Sequence, residues 1–491
     1  MRRNHAIAVL SSALAAFACS GGSSEDPTAL SQPLAQNISI SEIAILQTLK
    51  VPVMQDGDVA DRGDIPLVAG RDSVLRVYVQ PEAQFQPHSL TARARITTSS
   101  PMGSYAQVFS ASATISGPTT ESDLTTSINI PIPGTVLQRG SAVTVVLNDT
   151  KGDDPSSTTS TAKWPQDGSS SDLAVMNGGD RVRVMIVPVQ YNADGSGRLP
   201  DIDDTQMAAY QKHFFQLYPT ASVEMTLHDP WPYAGAISAN GTGFSQLLTA
   251  LGQLRASDQP DPDVYYYGAF QPSDEFATYC GGGCITGLSP IGSPYSVGVG
   301  YLGDVATETA VHEVGHAHGR YHAPCGGAAD PDPWWQTAPP QYANALIGVW
   351  GYDPYLQLMI DPTTYTDMMS YCSPTWISDY HYNLIFTRVR TDNQYFDDFS
   401  SGVASRETTK RYAIANVEET GDVHVSSAAV REPWVALGEP RTIAWDGGTA
   451  TAYFHPYDHL PGGVLYVPDE VPARAKVTAL RASEIATTLL R

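Results

Sequence analysis

The chain has 491 residues, more than one ordinary domain holds, and 42% hydrophobic content, enough to pack several cores. Its formal charge of -23, from 51 acidic against 28 basic residues, disfavours nucleic acid and anionic membrane as partners. That balance suggests a solvated extracellular surface and names no substrate.

Residues 1–18 read as an export signal, with Arg2 and Arg3 as the positive start and an apolar run over 6–18 too short to span a bilayer. Two cleavage readings compete. Ala16-Phe17-Ala18 fits the small-x-small rule of ordinary signal peptidase, whereas Ala18-Cys19 resembles the end of a lipobox. There are 5 cysteines, and lipidation of Cys19 leaves an even four for an oxidising compartment. An exported lipoprotein of the outer membrane or cell surface, attached through Cys19, is favoured over a secreted protein. Residues 19–36 are then a tether, flexible where Ser and Gly dominate. No later segment is long and apolar enough to cross a membrane, so the mature chain is expected to be soluble.

Short alternating runs separated by Gly, Pro and Asp turns over residues 37–150 predict an all-β sandwich. Asp56, Asp58, Asp61 and Asp64 miss the spacing of a calcium loop and read as a polar turn. Residues 151–177, rich at first in Ser, Thr, Asp, Pro and Gly, read as a linker.

From 178 to 395 strands and helices alternate, which predicts an α/β domain with a sheet behind its helices. A β-rich run over 181–191 precedes a helix over 203–218, with Met207, Phe214 and Leu217 along one face. A strand over 223–227, a helix over 244–255 and a strand over 263–270 follow. Residues 295–301 are expected to be an edge strand that pairs with an extended substrate, or else an interior strand.

The next stretch, His312 to His322, reads HEVGHAHGRYH. A helix advances about 100° per residue, so His312 and His316 share one face and can grip one ion. Gly319 supplies the helix stop, because a residue without Cβ readily adopts the left-handed conformation. His322 then returns from the loop as a third ligand. Three neutral imidazoles leave a fourth position for water, the arrangement of a catalytic zinc site with one ion. Glu313, beside the first ligand, is placed to take the proton of that water. His318 lies off the ligand face and reads as a surface or packing histidine.

Cys280 and Cys284 are separated by three glycines, and Cys325 and Cys372 flank the insertion after the zinc helix. Four cysteines allow three pairings. Cys280 with Cys284 and Cys325 with Cys372 is preferred, since the second bond would pin the loop after His322; a thiolate metal site is the rival reading. Trp334, Trp335, Trp350 and Tyr352 either line a cleft or pack under this insertion. A last helix is expected over 378–390, capped by Ser378 or Asp379. Residues 405–491 read as a small C-terminal β module, serving to bind substrate or cell surface or simply to close the fold. His455 and His459 sit four apart there, but Pro456 breaks any helix between them and excludes a second zinc pair of this kind.

The pattern H-E-x-x-H-x-x-G-x-x-H, met at His312, Glu313, His316, Gly319 and His322, resembles the metzincin clan of zinc peptidases. Asp367-Met368-Met369-Ser370-Tyr371-Cys372 is similar to the clan's Met-turn. The resemblance spans about residues 178–395 and implies a metzincin-like catalytic domain. Met369 would be the floor beneath the zinc, and Tyr371 would contact the ion or steady the transition state. Trp376 to Tyr380 looks like a tail of secreted bacterial members, with a looser similarity to mucin-cleaving metzincins. Ala323 departs from the families that carry a polar or acidic residue after the third histidine. The implied activity is zinc-dependent endoproteolysis of extracellular proteins or glycoproteins. The alternative is a non-catalytic surface binding protein on the same scaffold.

Overall fold

A computed structural model describes residues 30, 32–100, 103–150, 152–153, 160–400, 411–418, 423–430, 433–445 and 448–471. The expected signal segment, Cys19 and most of the tether lie outside the described residues. The architecture is multidomain and rich in sheet. Among the described residues no helix is long and apolar enough to cross a membrane.

The N-terminal part is two antiparallel sheets face to face. In one, Ile38–Leu46 lies between Lys50–Gln55 and Ser73–Pro81; in the other, His88–Ser100 lies between Gly103–Ile115 and Ser141–Asn148. Leu90, Ala92, Ala94 and Ile96 alternate inward, as do Val143, Val145 and Leu147, and they meet Ile43, Ile45, Leu75 and Val77 in one core.

The stretch expected as a linker is folded from residue 160 onward, which corrects the 151–177 boundary. Lys163–Trp164 and Ser171–Asp172 both pair with Ser141–Asn148. Ala162, Trp164, Leu173 and Val175 are buried, so apolar side chains set among polar ones hold this segment to the sandwich.

The central sheet runs Val223–Leu227, Val182–Tyr191, Val264–Phe270, Tyr295–Val299 and Gly287–Leu288. Its pairings are parallel except the last, which is antiparallel. Side chains alternate between its faces. Tyr265 and Tyr267 join the core beneath helix α1 (Asp204–Leu217), whereas Tyr266 and Phe270 join that beneath helix α2 (Phe244–Asp258). The short helix α3 (Phe276–Cys280) leads into the edge, and helix α4 (Asp304–Ala317) packs beside α1 on the first face. Tyr295–Val299 is therefore interior, flanked on both sides, and the edge that the sequence reading assigned to 295–301 is Gly287–Leu288. Helix α5 (Asp379–Ser400) continues past the expected end at residue 390. Arg388 pairs with Asp392 one turn on at 2.9 Å, and Asn393 donates to Gly178 O, so the extra turns have anchors.

The C-terminal part is a five-stranded antiparallel sheet, ordered Val423–Val430, Tyr412–Val417, Gly463–Pro468, Gly448–Pro456 and Glu439–Trp445. It packs onto the central domain. Tyr412, Ile414, Trp434, Val464 and Tyr466 share one core with Phe244, Leu247, Leu251 and Tyr295 on the α2 face of the central sheet. Tyr295 Oη and Tyr466 Oη lie 3.2 Å apart inside it.

Arg71 joins the sandwich to the central domain. Its guanidinium is buried, donates to Tyr218 O and Thr220 O at 2.7 Å, to Phe215 O at 2.6 Å and to Thr48 Oγ1 at 2.9 Å, and lies over the Phe215 ring. These carbonyls sit at the end of α1, where a helix leaves acceptors unsatisfied. Arg71→Met keeps much of the stem and removes every donor. At about 1–3 kcal/mol for each buried acceptor left unmet, it is expected to destabilise the chain by about 3 kcal/mol or more in urea denaturation. A change within about 0.5 kcal/mol would show that this clamp does not hold the two parts together.

Candidate metal centre

Four-residue spacing on α4 brings His312 Nε2 and His316 Nε2 to 3.1 Å. The helix then stops. Gly319 takes φ +85°, its N–H returns to His316 O at 2.7 Å, and Arg320 N–H returns to Gly315 O at 3.1 Å. This reversal delivers His322, whose Nε2 lies 3.2 Å from His316 Nε2.

The other ring nitrogens explain the aim of these three. His312 Nδ1 donates to Met368 O at 2.8 Å, His316 Nδ1 to Arg320 O at 2.6 Å and His322 Nδ1 to Ala329 O at 2.6 Å. A carbonyl only accepts, so each Nδ1 carries the proton and each Nε2 presents its lone pair to a common point. Three lone pairs so close repel one another unless a cation lies between them. Nitrogens about 2.0–2.1 Å from a tetrahedral ion would lie about 3.3 Å apart, close to what is seen.

The floor is held as firmly. Met369 is fully buried, and a Cβ on Gly315 would come within 2.5 Å of its sulfur, so only glycine lets the turn seat under α4. Asp367 anchors that turn, accepting from Met369 N, Ser378 N and His381 Nδ1, each at 2.8 Å. Burial would raise the Asp367 carboxyl, but His381 and these donors hold it below its ordinary value. Both preferred disulfides, Cys280–Cys284 and Cys325–Cys372, are present. The second is reinforced by Tyr371 N–H to Cys325 O and Ala323 N–H to Met369 O, which stitch the loop after His322 to the turn. Both cysteine pairs being bonded excludes the thiolate metal site.

Glu313 is 1% exposed and lies against the edge strand, where a Cβ on Gly287 would fall 2.4 Å from its Oε1. Among the described residues its Oε2 is buried without a hydrogen-bond partner. Burial, and then the Asp458 carboxylate, push the Glu313 carboxyl well above its ordinary value. Tyr371 is 41% exposed and directs its hydroxyl to His322 Nε2 at 3.1 Å. A cleft of about 250 Å³ opens beside these groups, lined by His312, Glu313, Tyr371, Glu308 and Ser370 among others.

Two residues of the centre come from the C-terminal sheet and were not foreseen. Asp458 Oδ2 lies 3.3 Å from His316 Nε2, and Asp458 Oδ1 accepts from Ser289 N at 2.8 Å. His459 bonds to Asp458 through Nδ1 and stacks on the Tyr371 ring. Donor atoms of His312, His322, Asp458 and His459 all lie within 4.8 Å of one another, a group that could hold a metal ion. His316 belongs with them, since its Nε2 is 3.1 Å, 3.2 Å and 3.3 Å from three of those residues. His455 does not take part. Its ring is buried between Ile291 O and Val435 O, so the two histidines do not form a second pair. No fixed spacing links a β-turn to a distant helix, and the only local signal was an Asp-His dipeptide before Pro461-Gly462-Gly463.

The remaining aromatic and histidine candidates are packing groups. His318 is buried, stacks on Tyr265 at 4.1 Å and donates Nδ1–H to Val314 O. Trp334 stacks on Tyr380 at 3.9 Å, Trp335 and Tyr352 are buried, and Trp350 packs against a small separate cluster. None of these four lines the cleft. Comparison with models of protein families and with curated proteins finds no match for this chain.

Burial holds several imidazoles neutral: His312 and His318 fall to about 3, His322 and His455 to about 4. Each lies below the ordinary 6.5, so between these values the unfolded chain binds more protons than the folded one. Their contribution is complete above pH about 6.5 and is lost as pH falls toward the folded values. Thermal unfolding in chelator is therefore expected to show a midpoint that drops between pH 7 and 5. A flat midpoint over that interval would contradict the neutral buried imidazoles.

Proposed function

We propose that this chain is a zinc-dependent endopeptidase of metzincin type, cleaving peptide bonds in extracellular proteins or glycoproteins. The observation that carries the reading is the convergence of three Nε2 lone pairs, each Nδ1 proton committed to a carbonyl, beside the buried Glu313. Imidazole and carboxylate donors at tetrahedral spacing, with no free thiolate in the group, suit zinc. An ion held by His312, His316 and His322 would polarise the scissile carbonyl and lower the pKa of a bound water to about 7.

The chain's own groups divide the rest of the work. Glu313, the general base, accepts the proton of the attacking water at Oε2, which has no hydrogen-bond partner among the described residues, and passes it to the leaving amine nitrogen. Tyr371 donates its hydroxyl hydrogen to the oxyanion as it forms. Gly287–Leu288, paired on one side only among the described residues, offers backbone groups to an extended substrate. Two disulfides are compatible with an exported chain, and lipidated Cys19 would attach it to a membrane. A non-catalytic binding protein is the second reading, favoured by Asp458, which supplies a fourth donor and so could close the site as in structural zinc.

Glu313→Gln separates the two. On unfolded casein and a glycoprotein mixture it is expected to lose about 10²–10⁴ in cleavage rate while keeping its zinc. Equal cleavage by both chains would remove Glu313 from the mechanism, and zinc-replete chains that cleave nothing would favour the binding protein. Tyr371→Phe is expected to retain zinc and substrate affinity and to lose about 10²–10³ in turnover. Loss of zinc, or turnover unchanged within a factor of about two, would exclude the oxyanion role.

A further inference from the structure

We propose that the Asp458 carboxylate is the fourth donor of the metal site, and that the turn carrying it keeps the enzyme closed until the turn is displaced. This rests on the zinc-peptidase reading and adds how such a site would be held shut.

Asp458 Oδ2 stands 3.3 Å from His316 Nε2, against 3.1 Å and 3.2 Å between the imidazole nitrogens. The carboxylate is thus as near to His316 as one ligand is to another around a single ion, about 3.3 Å for tetrahedral zinc, and its donor atom lies within 4.8 Å of those of His312 and His322. The side chains of His316 and Asp458 are both 0% exposed. A buried carboxylate needs compensation on both oxygens: Ser289 N–H serves Oδ1, while His459 and the cation position serve Oδ2.

The backbone around Asp458 occupies the path of a substrate. Tyr457 forms an antiparallel bridge with Pro290, Ile291 N–H donates to Pro456 O, and Asp458 N–H donates to Ser289 O. Residues 289–291 continue the edge strand Gly287–Leu288, so the turn pairs with the same track an extended peptide would use. Its side chains also cover the two groups the reaction needs. Asp458 lies against Glu313, and the His459 ring stacks on Tyr371 at 5.4 Å.

The rest of the C-terminal sheet is not free to leave, because Trp434, Val464 and Tyr466 lie in the core it shares with α2. The part that needs to move is the tip between Gly448–Pro456 and Gly463–Pro468, and its displacement draws Tyr457 out of that same core and Leu460 off its surface. Gly462, at φ +107°, lies at the return of that tip. Basal cleavage by the intact chain then measures the fraction of molecules with the tip displaced.

The test uses the full chain carrying zinc or cobalt(II), as wild type, Asp458→Asn and Asp458→Ala. Asp458→Asn keeps an acceptor for Ser289 N–H but replaces a charged ligand by a poor one, and Asp458→Ala removes both. Each variant is expected to keep one metal ion per chain. The visible spectrum of cobalt in the wild type should not respond to azide, whereas both variants should show a shift as azide takes the vacated position. Their cleavage of unfolded casein should rise by at least about tenfold, as expected if the wild type is competent about one tenth of the time or less. A wild-type spectrum that responds to azide as the variants do would overturn the ligand assignment. Variants that bind azide but cleave more slowly than wild type would overturn the closure, giving Asp458 a part in catalysis instead. The double variant Asp458→Asn, Glu313→Gln separates this from the underlying reading. If Asp458→Asn opens to azide yet cleaves no faster than the double variant, the peptidase reading fails while the ligand assignment stands.

Discussion

Three hydrogen bonds from imidazole to backbone carbonyl govern the centre. They commit the Nδ1 protons of His312, His316 and His322 to Met368 O, Arg320 O and Ala329 O, and so turn three Nε2 lone pairs inward. The acceptors come from the Met369 turn, from the reversal after α4 and from the loop pinned by Cys325–Cys372. Each ring is therefore oriented by a different piece of chain. The arrangement is costly in isolation, because three buried acceptors face one another, and a cation held between them would offset that cost.

Small residues and one carboxylate make the approach close enough. Gly315 admits the Met369 sulfur under the helix, and Gly287 admits Glu313 against the edge strand. Asp367 then fixes the turn with three bonds, one of them to His381 on α5, which ties the floor to the body of the domain. Because α4 packs on the same sheet face as α1, the Arg71 clamp at the end of α1 sets the N-terminal sandwich against the domain that holds the centre. The C-terminal sheet reaches the centre from the opposite face through the turn at Asp458.

What the sequence made legible was local. His312, Glu313, His316, Gly319 and His322 lie within one helix and its stop, so the 3.6-residue period and one left-handed residue suffice to place them. The alternation of α1, α2 and their strands was readable for the same reason, as was Cys280–Cys284, whereas Cys325–Cys372 spans 47 residues and was preferred because it would pin the loop after His322. Long-range placement was not. Trp164, Leu173 and Val175 sit among Ser, Thr and Asp, and a composition reading of that stretch as a linker misses their burial in the sandwich. The edge strand Gly287–Leu288 is too short to show a period, so Tyr295–Val299 took its place. Asp458 and His459 reach the centre through pairing of the turn with residues 289–291, a contact between distant segments that no spacing encodes.

The central claim is a single ion held by three imidazole nitrogens, and X-ray absorption at the zinc edge of the purified, zinc-loaded chain tests it most directly. The account predicts one zinc with three imidazole scatterers at about 2.0–2.1 Å and one oxygen at about 2.0–2.2 Å. Sulfur at about 2.3 Å, or zinc without the imidazole pattern, would contradict it.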